Sequence, residues 1–225
     1  MKKSYIVLGI VTGLVVSATI IILYKKLRLS GFKKRLISNA DKEWKLWGNQ
    51  TVVFGDRRKT GSRECDSVYR DRVGDYWKKG TGRNLDGCDR SVPWSSAFIS
   101  FVMKKSGAGK YFNYSAAHTD YIREAIQNRK KNLKHPFKAY RLEEKPVEVG
   151  DLICYSRQSG VNYNTTGGYK SHCDIVVKSN KKRGFAEVIG GNVTDGVTKR
   201  VVSINKNGKL IDKTNQWFTI IKNYM

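Results

Sequence analysis

The chain has 225 residues, 40% hydrophobic and 11% aromatic, which suits one globular body with its own core and excludes a wholly disordered polypeptide. Its 43 Lys and Arg against 19 Asp and Glu leave a net charge of +24, so its partners are expected among polyanions: nucleic acid, anionic headgroups or an anionic wall polymer. The four cysteines, Cys65, Cys88, Cys154 and Cys173, form no CxxC, and the histidines do not fall at zinc-finger spacing, which argues against a structural zinc site.

Residues 1–4 form a short tail carrying Lys2 and Lys3. Tyr5 to Tyr24 then runs without a charge and is bracketed by lysines. As a helix it spans roughly 30 Å, the thickness of a bilayer core, so an uncleaved transmembrane signal anchor is expected over 5–24. Gly9, Gly13 and Ser17 recur every four residues and offer one small-residue face for helix pairing in the membrane. A basic juxtamembrane linker or helix follows over 25–39, with Lys25, Lys26, Arg28, Lys33, Lys34 and Arg35. By the positive-inside rule this cluster argues for a cytoplasmic domain, whereas wall chemistry needs the domain outside.

The folded domain is expected over 40–225. Residues 29–50 read as a helix with Leu36, Ile37, Trp44 and Trp47 as its apolar stripe. Within 55–91, the apolar island at Val68, Tyr69, Val73, Tyr76 and Trp77 predicts a short helix and then a long loop. Cys65 and Cys88 flank that stretch and could close it; Cys154 and Cys173 lie in separate apolar runs and read equally well as core residues. Four cysteines allow three pairings, and the sequence chooses none of them.

"VPWSSAFISFVMKKSG", residues 92–107, predicts a helix buried on most faces, opened by Pro93 and closed by Gly107. Ser95 at its head reads either as a helix cap or as a nucleophile. "SAAHTDYIREAIQNRKKN" predicts an amphipathic helix with Ser115 as its cap and His118 early in it. His135, beside Pro136 in a basic stretch, reads as solvated. From Pro146 onward "DLICY", "CDIVV", "FAEVIGG", "KRVVSIN" and "WFTIIK" predict about five strands in an antiparallel meander, with a hairpin signal at Asn207-Gly208. The fold class expected is α+β, helices packed on one side of a sheet.

In "HCDIVV", alternation puts His172, Asp174 and Val176 on one face and Cys173, Ile175 and Val177 on the other. Glycines end the next strand, followed by Asn192, which is placed to orient an imidazole. Ser95, His172 and Asn192 thus follow one another as candidate nucleophile, base and orienter, with Asp174 competing for the last role. Trp94, His118 and Asp174 are candidate lining residues.

The ordered motifs "PWSSAFISFVMKKSGAG", "SAAHTDYI", "VGDLICYSR", "HCDIVV" and "VIGGNV" resemble the DUF2272 family of bacterial and phage proteins, across most of residues 40–225. That family in turn resembles the NlpC/P60 and CHAP groups of papain-like peptidoglycan hydrolases. The resemblance implies a papain-like fold, a central helix against an antiparallel sheet, with Ser95 at the nucleophile position, His172 as base and Asn192 as orienter. Those hydrolases use cysteine where this chain has Ser95, and a hydroxyl is a far weaker acid than a thiol. The function expected is a membrane-anchored peptidoglycan amidase or endopeptidase. The alternatives are an inactive wall- or partner-binding module, and a cytoplasmic membrane-tethered binder of nucleic acid or anionic lipid. No cofactor or metal is implied, and no nucleic-acid motif is present.

Overall fold

The structure, a computed structural model, describes residues 29–52 and 64–225. The expected membrane segment 5–24, with Gly9, Gly13 and Ser17, lies outside the described residues. Among the described residues no helix is long and apolar enough to cross a membrane. Phe32 to Met225 belong to one compact unit.

Among the described residues, four α-helices and seven strands make an α+β fold. They are α1 (Gly31–Leu46), β1 (Thr51–Val52), α2 (Ser67–Asp75), α3 (Ser95–Ser106), α4 (His118–Lys130), β2 (Phe137–Tyr140), β3 (Leu152–Ser156), β4 (Ser171–Asn180), β5 (Phe185–Gly190), β6 (Thr198–Ser203) and β7 (Gln216–Asn223). A π-helical turn, Tyr76–Thr81, continues α2. The sheet order is β1-β6-β5-β4-β3-β7-β2. Its pairs are antiparallel except β1 with β6, which run parallel, so the sheet is mixed.

The expected five-strand meander is corrected in two respects. β1 and β2, of two and four residues, add both edges; each is too short to show a period of two. β7 does not extend the meander beyond β6 but enters between β3 and β2. Asn207-Gly208 does form a turn, with Gly208 at φ 79° and its N–H bonded to Asn205 O at 2.8 Å. Only the isolated bridge Ile204↔Leu210 flanks that turn, because β6 and β7 are not neighbours.

The sheet buries both faces. Cys154, Cys173, Ile175, Ile189 and Ile221 join α1, α3 and α4 in the larger core. Ile153, Tyr155, Val176, Val188 and Trp217 form a second cluster with Val147, Ile204 and Leu210 from the connecting segments. α3 is nearly all interior, from Ser95 through Met103, as its apolar sequence predicts. Gly107 closes it in the left-handed region at φ 89°, where a side chain would be strained.

α1 buries Phe32, Leu36, Asn39, Ala40 and Glu43. Its buried Glu43 is satisfied: Arg72 Nε donates to Oε2 at 2.8 Å and the Tyr76 hydroxyl at 2.9 Å. The four cysteines pair as Cys65–Cys88 and Cys154–Cys173. The second bridge joins directly opposed residues of β3 and β4.

Two local expectations are revised. Ala117, not Ser115, is the N-cap of α4; Ser115 Oγ instead accepts the Ala117 N–H at 3.0 Å. His135 is not merely solvated, because its Nδ1 accepts the Phe137 N–H at 3.2 Å and faces Asn128 Nδ2 at 2.9 Å.

Candidate active site

The head of α3 carries two buried serines, and neither caps the helix. Trp94 occupies the N-cap and makes no side-chain cap bond. Ser96 Oγ donates to Ser115 O at 2.8 Å. Ser95 Oγ lies 2.7 Å from His118 Nε2, on the first turn of α4. The other ring nitrogen of His118, Nδ1, is hydrogen-bonded to the Tyr121 hydroxyl three residues along the same helix. In the tautomer that leaves Nε2 as acceptor, Ser95 donates to Nε2 and Nδ1–H donates to the Tyr121 oxygen.

The expected alternation on β4 holds. His172 and Asp174 share a face, and His172 Nε2 donates to Asp174 Oδ1 at 2.9 Å. Asp174 also pairs with Arg200 on β6. His172 Nδ1 accepts from Arg157 Nη2 at 3.0 Å. Both nitrogens of His172 are therefore engaged, by Asp174 and Arg157 and not by Asn192 or Ser95. Asn192 sits half-buried just beyond β5, in the left-handed region at φ 53°. The His118 and His172 rings lie 5.2 Å apart between centroids, so α4 and β4 bring the two imidazoles together.

Trp94 closes one side of the site. It stacks on Trp47 at 5.3 Å between centroids, and its Nε1 donates to Glu64 Oε2 at 2.6 Å. Gly190 and Gly191 end β5 against this cluster. A Cβ at Gly190 would overlap Asp174 Oδ1 and come within 2.9 Å of His172 Nε2; one at Gly191 would press on Phe98 and Trp94. The close backbone approach that these glycines permit is thus to the protein's own site.

Burial sets the protonation states. His118 is held well below the ordinary imidazole range, by burial first and then by His172 and the Arg157 charge. His172 is lowered to about 4, burial outweighing the attraction of Asp174. Burial would raise Asp174, but Arg200 and His172 hold it well below the usual carboxylate range. At neutral pH both imidazoles are uncharged, the carboxylate is ionised, and His118 can accept a proton. Ser95 stands at the start of a helix, where the first-turn N–H groups have no intrahelical acceptor and the dipole favours negative charge.

Sequence reasoning reached Ser95, His118, His172 and Asp174, but joined Ser95 to His172. It missed Tyr121, Arg157 and Arg200. Tyr121 was open to a helical i, i+3 argument from His118. Arg200 required the strand order, since β6 reaches β4 only across β5.

The α+β body thus sets a serine hydroxyl against a buried imidazole at a helix head. The family profile of DUF2272, described as "Uncharacterized protein conserved in bacteria", matches residues 64–223, and the chain belongs to this family. No curated protein and no solved structure matches it.

Proposed function

We propose that this chain is an acyl hydrolase of papain-like arrangement, acting on amide bonds of peptidoglycan, with Ser95 as nucleophile and His118 as its base. The observation that carries the reading is the 2.7 Å contact between Ser95 Oγ and His118 Nε2, with the imidazole oriented from its far side by Tyr121. His118 Nε2 takes the hydroxyl proton as Oγ bonds to the substrate carbonyl carbon. The oxyanion meets the N–H groups at the head of α3. His118 then gives the proton to the leaving amine, and water releases the acyl group by the same steps in reverse order. His172, fixed by Asp174 and Arg157, buttresses His118 and is not the base.

The anionic wall polymer as substrate is supported by the net charge of +24. Two disulfides and no free cysteine support an extracytoplasmic domain, against the charge bias around the expected anchor. A C-terminal reporter fusion active only outside the cytoplasmic membrane is the expected result; a cytoplasmic signal would remove the wall as substrate.

A fluorophosphonate probe should label Ser95, and digestion of purified peptidoglycan should release fragments identifiable by mass. Ser95→Ala should abolish both. His118→Gln should slow both by about 100-fold or more, the scale of a lost general base. Undiminished digestion by Ser95→Ala would remove the nucleophile.

One observation favours a second reading, a wall-binding module without catalysis: Ser95, His118, His172 and Asp174 are exposed by only 2%, 4%, 0% and 0%. Retention on peptidoglycan with neither labelling nor digestion would establish that reading instead.

A further inference from the structure

His172 is flanked by two guanidinium groups, and among the described residues the local charge does not balance. Arg200 pairs with Asp174, but Arg157 spends an N–H on a neutral imidazole and forms no ion pair with a carboxylate among the described residues. Arg157 is exposed, immediately after β3, and a guanidinium carries five N–H donors in a planar fork. Beside the same imidazole, the buried Arg200 Nε has no hydrogen-bond partner among the described residues. Buried polar groups without partners are uncommon and ask for an explanation. The wall here is aromatic: Tyr155 stands 5.0 Å from the His172 ring, Arg200 lies over Tyr155 and Trp217 at 5.4 and 5.8 Å, and both rings are buried.

We propose that Arg157, with the spare donor of Arg200, forms a carboxylate-binding subsite beside the Ser95–His118 pair, so that the preferred ligand is an acyl compound bearing a free carboxylate next to its amide. A planar fork matches a planar carboxylate through two parallel N–H···O bonds. One positive charge without a carboxylate partner among the described residues suits a monoanion. The subsite sits on the same imidazole that packs against His118, so an anion held there borders the reacting carbonyl. The catalytic consequence rests on the hydrolase reading above; the binding itself does not.

The test uses the full chain with Ser95→Ala, which cannot turn over, and three probes: N-acetylalanine, N-acetylalaninamide and inorganic phosphate. Titration calorimetry should show the acid binding about 10-fold or more tighter than its amide, the worth of one charge-assisted contact. Adding Arg157→Gln should erase that ratio, and Arg157→Lys, which keeps the charge and loses the fork, should restore part of it. Equal binding of acid and amide, or a preference that survives Arg157→Gln, overturns the subsite. Phosphate binding tighter than N-acetylalanine overturns its assignment to carboxylates. Selective binding of the acid by a protein whose Ser95 is never labelled would leave the subsite standing and the hydrolase fallen; labelling without selectivity would do the reverse.

Discussion

A methyl group at position 190 has no space, because it would fall on Asp174 Oδ1 beside His172. Gly190→Ala should therefore displace the His172–Asp174–Arg200 chain and lower stability by roughly 1–3 kcal/mol, the cost of overpacking. Chemical denaturation measures this, and an unchanged midpoint would mean that the carboxylate yields freely. Protonation acts on the same groups. The His172 pKa is lowered to about 4 from an ordinary 6.5, so the folded state is favoured above 6.5 and loses that advantage as pH falls through 4. The loss amounts to about 3 kcal/mol, and His118 adds to it in the same direction. Unfolding free energies measured from pH 7 to 4 should fall accordingly, and His172→Gln should flatten the fall. Catalysis through a depressed His118 should also hold its rate at pH 6, where an ordinary imidazole base would be largely protonated. At this scale the sequence exposed what alternation controls. The shared face of His172 and Asp174 follows from a period of two. The partner of Ser95 does not, because packing brings α4 against α3, and no spacing along the chain encodes which imidazole arrives first.

Elements were legible in proportion to their length. The five longer strands and the helices at α1, α2, α3 and α4 stand where apolar patterning puts them. The short edge strands escaped, as did the place of β7, since hydrogen-bonded order in a sheet is a tertiary outcome. The cysteines divide in the same way. Cys154 and Cys173 read as ordinary core residues until β3 and β4 pair in register and set them directly opposite each other. Their bridge closes a separation of 19 residues, for which loop closure alone gives about 3 kcal/mol of stabilisation. Replacing both by alanine should lower the unfolding free energy by about that much. The same change should loosen His172 and Asp174, which flank Cys173, and so reduce fluorophosphonate labelling of Ser95. Full stability in the double variant would show that strand pairing alone fixes this register.

On the scale of the whole molecule, composition told more about surroundings than about chemistry. A net charge of +24 predicts retention on anionic polymers that is lost with salt, since exposed charges are screened within about 10 Å at 0.1 M. Binding to purified peptidoglycan should fall at least tenfold between about 0.05 and 0.5 M sodium chloride; salt-independent binding would assign it to contacts other than surface charge. The topology has its own consequence. β7 is the last strand in sequence, yet it lies between β3 and β2, and its Lys222 reaches back to the buried Asp151 at 2.5 Å and to Glu148 at 2.7 Å. A nascent polypeptide lacking Gln216–Asn223 leaves β2 without a neighbour and one side of β3 open. The sheet therefore cannot close on that side until Gln216–Asn223 is in place, so strands adjacent in space must wait for the one most distant in sequence.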